Sequence, residues 1–500
     1  MPQPSQVRVR FAPSPTGELH LGSARTALYN YLFARRHGGQ VLLRIEDTDQ
    51  KRFVEGSMDR FFADLKWLGI TFDGEPIIQS SRVERHREIA EELVNRGAAY
   101  YEPVTDTVHG RKHGEEEYRA GRVAYRGQNR DLGEPPASPH SLPKSPDGHF
   151  ASVPGAAPNP GYVIRLKVPE GTIVLDDMVR GRVEFDLATT DDQVLLKSDG
   201  MPTYHLAAMV DDHDMEITHI LRSEEWLSST PKHLLIFKAM GWQPPEFVHL
   251  PVVLALDGKK LSKRIHGEAV WIGTYRKQGY LPAALTNYLA LLGWNPGDDR
   301  ELMTLDELVR AFSLERVHKA GAKFDQAKLD AFQSHYVRDL PDEELVRQLK
   351  DYVRSIGEKV VDEQNFSRAA IVLKDRMSAL STFCALATPF IPGRAHEYEP
   401  ALLIFKKSTH DATVSGLTAA RDGLAAAGKE TWESEELLSQ ILDRVVASTG
   451  LTNGDVFWPV RVALTGQERS PSPAECLWVL GKQESLLRID RALQKLSSSK

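Results

Sequence analysis

The 500-residue sequence is poor in cysteine and has no long apolar run. Its two cysteines, Cys384 and Cys476, cannot build a disulfide framework or a four-thiolate zinc site, so a reducing compartment is expected. No stretch approaches about 20 uninterrupted apolar residues, so no membrane span is expected. No apolar signal-peptide core is visible near the start of the sequence. The net charge of −7 excludes a strongly basic, tail-like nucleic-acid binder, although local basic surface is still possible. These absences favour a cytoplasmic multidomain protein.

Two stretches of the chain show an alternation of strands and helices. Residues 7–11 (VRVRF) alternate apolar and charged side chains, a helical run covers 22–36, and residues 40–45 (QVLLRI) predict the next strand. This β-loop-α-β order predicts a parallel sheet. A similar α/β pattern returns at about 194–256. The sheet domain is therefore predicted to be split by an insertion.

The insertion contains eight prolines between residues 133 and 160, a density that a central strand or helix cannot tolerate. We expect a surface excursion there. The tail after about residue 325 is predicted to be mostly helical. In that tail, five apolar positions share a helical spacing and are expected on one helix face: Leu373, Met377, Leu380, Cys384 and Ala387.

Two short segments carry residues suited to nucleotide chemistry. The loop at 13–23 (PSPTGELHLGS) joins a strand to a helix N-terminus, where backbone N–H groups and the helix dipole favour phosphate. It lacks the Walker-type lysine. Residues 257–264 (DGKKLSKR) form a basic loop after an apolar run. Its lysines could neutralise charge on a transferring phosphoryl group. Each segment alone is also typical of an ordinary surface turn.

Taken together, these segments resemble the paired motifs of class I aminoacyl-tRNA synthetases. His20-Leu21-Gly22-Ser23 is similar to the HIGH motif and Lys260–Arg264 (KLSKR) to the KMSKS motif. The flanking text resembles that of bacterial glutamyl-tRNA synthetases of the type 1 subfamily: RFAPSPTG at 10–17, RIEDTD at 44–49, VLLKSDGMPTYHLAAMVDDH at 194–213 and RSEEWLSSTP at 222–231. The likeness is close over 7–100 and 162–330 and looser in the tail.

The resemblance implies an α/β fold, in which a Rossmann-like doubly wound parallel sheet is split by an inserted α+β domain and followed by helical regions. The implied order is a first catalytic half at 1–100, an acceptor-end-binding insertion at 101–190 with its proline-rich excursion at 133–160, a second catalytic half at 191–255, a stem-contact region at 256–325 and an all-α anticodon-binding domain at 326–500. The implied partners are tRNA(Glu), ATP with Mg²⁺ and L-glutamate. A monomer is expected, and no membrane partner.

The resemblance also implies residue roles. Arg10 would meet the side-chain carboxylate of glutamate, since a guanidinium fork suits a carboxylate better than an amide. The other implied glutamate-binding residues are Ala12, Ser14, Glu46 for the α-ammonium, Tyr204, and Arg222 for the carboxylate end. His20, Lys260 and Lys263 would be catalytic, and ATP would be bound by Gly17, Gly22, Trp226, Leu261 and Lys263. Asp49 would touch the acceptor end of tRNA, and Arg376 is a candidate anticodon reader. The resemblance further implies that glutamate is activated only when tRNA is bound.

Simpler interpretations exist for several of these side chains. Arg10 could be a solvent-facing strand residue, Glu46 a capping acid, Tyr204 a core aromatic and Arg376 a solvated helix-face arginine. Asp211, Asp212 and His213 suggest a metal site, but a structural role is favoured, and no metal ligand is predicted. The inserted segment has histidines but no cysteine, so the zinc knuckle of some family members is not expected. Ala208 stands where several relatives have Asn.

Four other functions are weighed against this one. A glutaminyl-tRNA synthetase should have a pocket that accepts an amide and a different first loop. A glutamyl-queuosine tRNA synthetase lacks an anticodon domain, unlike this chain. A catalytically silent tRNA-binding protein would not need both motifs. Nucleotidyltransferases with a HIGH motif are shorter and lack the RIEDTD and RSEEW segments.

Overall fold

The computed structural model describes residues 6–49, 54–103, 124–127, 130–131, 162–393 and 397–498. The chain divides into two compact units. The first comprises Met1–Tyr275 and Leu285–Gln326, and the second comprises Arg276–Ala284 and Ala327–Lys500. The proline-rich excursion predicted at 133–160 lies outside the described residues. The functional division into acceptor-end, stem and anticodon regions stays a prediction.

The first unit begins with the predicted β-loop-α-β arrangement. Strand β1 (Arg8–Phe11) pairs in parallel with β2 (Gln40–Ile45), and β2 pairs in parallel with β3 (Ile77–Ile78). Helix α1 (Leu21–Arg36) makes the crossover between β1 and β2. The inward-facing residues of β1, Val9 and Phe11, are buried, as their spacing predicts. Helices α2 (Ser57–Trp67) and α3 (Val83–Asn95) follow.

A second group of strands extends this parallel arrangement. Strand β9 (His219–Ser223) pairs in parallel with β10 (Glu246–Leu250), and helix α5 (Thr230–Met240) connects them. The hairpin of β6 (Thr172–Asp177) and β7 (Gly181–Asp186) joins this sheet through the parallel pairing of β6 with β10. Thr218, just before β9, donates its N–H to the carbonyl of Arg8 at 2.9 Å. The carboxyl ends of β1 and β9 therefore open on the same edge.

The part of the insertion that the structure describes contributes to a separate antiparallel sheet. It comprises β4 (Ala99–Pro103), β5 (Tyr162–Leu166) and β8 (Val194–Leu196) in the order β4-β5-β8. Helix α4 (Tyr204–Asp214) follows β8 and packs with α3 and α5 in one apolar core. The sequence assigned residues 172–186 to the insertion, whereas these strands pair with the parallel sheet.

The rest of the first unit follows β10. Strands β11 (Val253–Leu254) and β12 (Ala322–Lys323) form a short parallel pair. The helices of this region are α6 (Lys263–His266), α7 (Ile272–Lys277), α8 (Pro282–Leu291) and α9 (Leu305–Ala311), of which α7 and α8 each cross the border between the two units.

The second unit is helical where the structure describes it, as predicted. Its helices are α10 (Gln326–Asp339), α11 (Asp342–Ser355), α12 (Glu363–Leu373), α13 (Leu380–Ala387), α14 (His410–Ala426), α15 (Glu435–Thr449), α16 (Asn453–Thr465) and α17 (Pro473–Ser497). They enclose one large apolar core. Helix α17 is interrupted at Gly481, where φ is +69°, a left-handed value that favours glycine.

The single helix face predicted through Leu373, Met377, Leu380, Cys384 and Ala387 is wrong. Helix α12 ends at Leu373, a short turn follows, and the backbone is extended at Met377 and at Ala379 before α13 begins. Met377 and Leu380 are buried, but Cys384 is exposed because the new helix starts in a different phase. No membrane-spanning helix is present among the described residues.

Candidate active site

A pocket of about 380 Å³ lies at the carboxyl ends of β1 and β9, in the first unit. This is where helix N-termini and strand ends place ligands in doubly wound sheets. The structure brings most of the predicted site residues together in its lining: Arg10, Ala12, Ser14, His20, Gly22, Glu46, Tyr204, Arg222, Trp226, Lys260 and Leu261. Four predicted residues do not line it: Gly17, Asp49, Lys263 and Arg376.

A buried chain of ion pairs lies beside the pocket and reaches its lining through Arg10 and Glu46. Arg10 donates from Nε to Asp212 Oδ1 at 2.8 Å, and Arg44 donates from Nη1 to the same oxygen at 2.6 Å. Arg44 also donates from Nη2 to Glu46 Oε1 at 3.2 Å. The side chains of Arg10, Arg44 and Asp212 are at most 4% exposed. Arg10 is therefore not the solvent-facing strand residue of the simpler interpretation.

Burial and charge act in opposite directions on the two carboxylates of this chain. Burial alone would raise the pKa of Asp212, but Arg10 and Arg44 hold the pKa of this carboxyl below its usual range. Burial raises the pKa of Glu46, and Arg44 and Arg10 oppose that rise only in part. A cation arriving beside Glu46 would favour its ionised form.

Arg222 lies in the same pocket without a carboxylate partner among the described residues. It donates from Nε to His249 Nε2 at 3.1 Å, from Nη1 to His233 Nδ1 at 3.1 Å and from Nη2 to Thr230 Oγ1 at 2.9 Å. Burial lowers the pKa of Arg222, yet a guanidinium stays charged in proteins. Arg10 and Arg44 thus share the carboxylate of Asp212, whereas the charge of Arg222 is not paired directly with a carboxylate among the described residues.

Two aromatic rings cover Arg222. Tyr204, the first residue of α4, lies 3.4 Å from Arg222 Nη1 through its Oη, and its ring centroid is 4.3 Å from that of Trp226. Trp226 remains 39% exposed, so its ring is open to a ligand. Burial raises the pKa of Tyr204, which keeps its hydroxyl neutral. Tyr204 is therefore not only a core aromatic, since its hydroxyl lies in the pocket.

His20 occupies the N-cap of α1 at the opposite side of the pocket. Its Nδ1 accepts the N–H of Gly22 at 3.0 Å, so in the neutral ring the proton is on Nε2. Burial and the charge of Lys260 lower the pKa of His20 to about 4, although a hydrogen bond to the backbone of Leu261 opposes the shift. His20 is thus a neutral hydrogen-bond donor at pH 7.

The basic loop meets His20 as the two motifs predict. Lys260 donates to the carboxylate of Glu225, and both residues line the pocket. Lys263, at the start of α6, lies outside the lining with its Nζ 5.6 Å from the ring centroid of Trp271. That same ring packs edge-on against His20 at 5.7 Å. His20 and Lys263 therefore share one aromatic neighbour.

The remaining predicted residues have simpler surroundings. Gly17 has a φ of +145°, which favours glycine, and its side-chain direction is open space. Asp49 is exposed after β2. In the second unit, exposed Arg376 donates to the carbonyl of Ser470 at 3.2 Å, on a turn after α12. Ala208 is fully buried in α4 and does not line the pocket.

Asp211, Asp212 and His213 have the structural roles that the sequence favoured. Asp211 accepts hydrogen bonds from Gln79, Arg82 and His86 at 2.7–2.9 Å. His213 stacks on Trp242 with ring centroids 4.0 Å apart. Among the described residues, no three His, Cys, Asp or Glu side chains cluster as metal ligands.

Several residues of the site were not predicted. Glu225 holds Lys260, Trp271 links His20 to Lys263, and His233 and His249 hold Arg222. Glu225 lies inside the quoted RSEEW segment, which was a usable signal. For Trp271 and the two histidines the sequence carries none, since each meets its partner through the folding of separate elements and not through a local spacing.

Comparison with known proteins covers both units. Residues 6–331 match the family described as tRNA synthetases class I (E and Q), catalytic domain, and residues 344–493 match an anticodon binding domain. The chain is 40% identical to a glutamate–tRNA ligase of Cytophaga hutchinsonii and 38% identical to one of Clostridioides difficile, with at least 97% of every chain covered. A crystal structure of a glutamate tRNA ligase from Elizabethkingia meningosepticum in complex with its amino acid is 33% identical, with a TM-score of 0.82 over 98% of this chain and 100% of that one.

Proposed function

The chain belongs to the glutamate–tRNA ligases among the class I tRNA synthetases, and we propose that the pocket of its first unit binds L-glutamate and ATP side by side. The activity is the ATP-dependent joining of glutamate to tRNA. In the first step an oxygen of the α-carboxylate attacks the α-phosphorus of ATP, and pyrophosphate leaves. In the second step a ribose hydroxyl of the terminal adenosine of tRNA(Glu) attacks the activated carbonyl, and AMP leaves.

One observation carries the choice of glutamate, namely two buried arginines in the lining of the pocket, Arg10 and Arg222. Arg222 has no hydrogen-bonded carboxylate among the described residues, and Arg10 shares the carboxylate of Asp212 with Arg44. Each of the two carboxylates of glutamate can meet one of these guanidinium groups. Glutamine keeps the α-carboxylate but offers Arg10 a neutral amide, which cannot accept two N–H groups from a guanidinium fork. This lining therefore disfavours a glutaminyl-tRNA synthetase.

The proposal assigns the glutamate contacts as follows. Arg10 binds the side-chain carboxylate, Arg222 faces the carboxylate end and Glu46 accepts the α-ammonium. Tyr204 supports the contact of Arg10. Ala12 and Ser14 lie in the loop between β1 and α1. A hydrogen bond from the Glu46 N–H to the Pro13 carbonyl (3.0 Å) connects this loop to the end of β2.

ATP is proposed to lie between the N-terminus of α1 and the basic loop. Neutral His20 donates from Nε2 to a phosphate oxygen, and Gly22 lets the backbone approach the nucleotide closely. Gly17, Leu261 and Trp226 complete the nucleotide site. Lys260 and Lys263 stabilise the charge that develops on the phosphoryl group and on pyrophosphate. Mg²⁺ is proposed to arrive on the ATP phosphates, where it neutralises part of their charge.

Transfer RNA contacts are proposed for both units. Asp49 touches the acceptor end, and Arg376 reads the anticodon from the helical unit, whose match to an anticodon binding domain supports this role. RNA loops are read by bases stacked on planar side chains, a task that suits an arginine. We propose that the protein is a cytoplasmic monomer and that it requires bound tRNA to activate glutamate.

The test is a comparison of two isosteric substrates. Purified enzyme is supplied with ATP, Mg²⁺ and tRNA(Glu), and aminoacylation is measured with glutamate and with glutamine. We expect glutamate to be preferred by roughly 100-fold or more in kcat/KM, the ratio that corresponds to losing the charge-assisted hydrogen bonds between the side-chain carboxylate and Arg10. Comparable kcat/KM values for the two amino acids would contradict the charge argument.

A further inference from the structure

We propose that His249 and His233 are positioning residues that hold the Arg222 guanidinium toward the carboxylate of the substrate. Neither histidine pairs a negative charge with Arg222, so its positive charge remains available to that carboxylate. This inference rests on the proposed function, since it concerns the same glutamate pocket. Both histidines are fully buried, and each contacts Arg222 through one ring nitrogen only.

The tautomer of His249 follows from its two neighbours. Its Nδ1 lies 2.6 Å from Asp177 Oδ2, and the pKa of Asp177 is lowered despite its burial, so this carboxylate is ionised and only accepts. The Nδ1 of His249 therefore carries the proton. Its Nε2 carries the lone pair and accepts from Arg222 Nε at 3.1 Å, with Thr230 Oγ1 3.2 Å away. Asp177 thus acts on Arg222 through one intervening ring.

The tautomer of His233 is the opposite one. Arg222 can only donate, so the Nδ1 of His233, 3.1 Å from Arg222 Nη1, must accept. The proton is then on Nε2, which lies 3.1 Å from Nδ1 of His205. Burial and the charge of Arg222 hold the pKa of His233 well below its usual value, in agreement with a neutral ring.

The choice of neutral acceptors has a consequence for recognition. Arg10 and Arg44 share the carboxylate of Asp212, so part of their charge is already compensated. Arg222 is fixed in direction by two imidazoles and by the hydroxyl of Thr230, none of which carries a negative charge. A carboxylate at either histidine position would orient Arg222 equally well but would cancel the charge that binds the carboxylate of the substrate.

The opposite tautomers allow a crossed test with four variants. Asparagine places its amide where a histidine has Nδ1, and glutamine places its amide where a histidine has Nε2. His249→Gln and His233→Asn therefore keep the acceptor for Arg222, whereas His249→Asn and His233→Gln remove it and keep the other contact. If the histidines only filled space in the core, Asn and Gln would not have opposite effects at the two positions.

The measurement is glutamate-dependent pyrophosphate exchange with tRNA(Glu) present, together with the thermal unfolding midpoint of each variant. We expect the KM for glutamate to rise on the order of tenfold in His249→Asn and His233→Gln, as for the loss of one hydrogen bond to a charged group. We expect it to stay within about threefold of wild type in His249→Gln and His233→Asn. The KM for ATP should not change in any of the four.

Equal effects of Asn and Gln at each position, or KM values that follow the unfolding midpoints, would overturn the inference. If a variant does not fold, the pair at the other histidine decides the question by itself. Wild-type enzyme separates the two levels of the argument. Absence of glutamate-dependent exchange in wild type refutes the proposed function, whereas an active wild type without the crossed pattern refutes only the positioning role.

Discussion

Asp212 is the carboxylate on which two buried arginines depend, and Asp212→Asn should destabilise the first unit strongly. The substitution keeps the size and shape of the side chain but removes its charge. The oxygen that Arg10 and Arg44 share at 2.8 Å and 2.6 Å then carries no negative charge, and the amide NH2 replaces the oxygen that faces Arg10 Nη2. Arg44 keeps Glu46 at 3.2 Å as a partner, whereas Arg10 keeps no hydrogen-bonded carboxylate among the described residues and interacts with Glu46 only at longer range.

The expected magnitude follows from the burial of the three side chains, none of which is more than 4% exposed. Removing one partner of a buried ion pair costs about 3–5 kcal/mol, because the remaining charge stays buried without compensation. Glu46 offsets part of the loss for Arg44, so the total should stay within this range although two pairs are broken. The KM for glutamate should rise as well, since Arg10 is no longer fixed.

The matched control is Asp214→Asn, two residues further along α4. Asp214 also pairs with two arginines, Arg82 and Arg85, but its side chain is 21% exposed and that of Arg85 is 41% exposed. Solvent screens such pairs, so a loss of about 1 kcal/mol or less is expected. Urea unfolding followed by tryptophan fluorescence measures both free energies. A loss in Asp212→Asn no larger than that in Asp214→Asn would refute the reasoning.

Three further outcomes are expected. Lys263→Ala should lower the rate of pyrophosphate exchange on the order of 100-fold, with tRNA present and little change in the KM for glutamate; an unchanged rate would contradict its role. Arg376→Ala should weaken charging to a degree that depends on the anticodon, so equal loss for all anticodon variants of tRNA(Glu) would remove that assignment. Burial lowers the pKa of both His20 and His205 from 6.5 to about 4. Between pH 4 and pH 6.5 the unfolded chain therefore binds more protons than the folded chain. The contribution of these two histidines to the free energy of unfolding should be complete above pH 6.5 and should decrease as the pH falls toward 4. A urea unfolding midpoint that stays constant between pH 4 and pH 6.5 would contradict this expectation.

The sequence predicted those parts of the site that depend on local pattern. The alternation in 7–11 and the helix over 22–36 locate the loop at the carboxyl end of β1, and parallel-sheet geometry makes that loop a ligand site. The resemblance added the contact between His20 and the basic loop, about 240 residues away, which no periodicity contains. The resemblance, and not a local pattern, also assigned the glutamate site to Arg10, Glu46, Tyr204 and Arg222.

Other features depend on contacts that no local pattern records. The break between α12 and α13 was missed because no glycine or proline lies between Leu373 and Ala387 to end a helix. The apolar spacing continues across extended backbone at Met377 and Ala379. The partners of Arg222 were missed because His249 comes from β10 and His233 from α5, which meet only after the sheet has formed.

The overall charge of −7 gives no indication that buried arginines line the pocket of the catalytic unit. Burying Arg222 without a carboxylate partner destabilises the protein, because no contact within the chain offsets the desolvation of that charge. Local arrangements that oppose stability are expected where a ligand completes them. Arg10 and Arg44 are compensated by Asp212 and are part of the framework, whereas Arg222 is fixed only by neutral groups. Binding of the carboxylate end of the amino acid therefore depends less on the number of arginines in the pocket than on the absence of a carboxylate partner for Arg222.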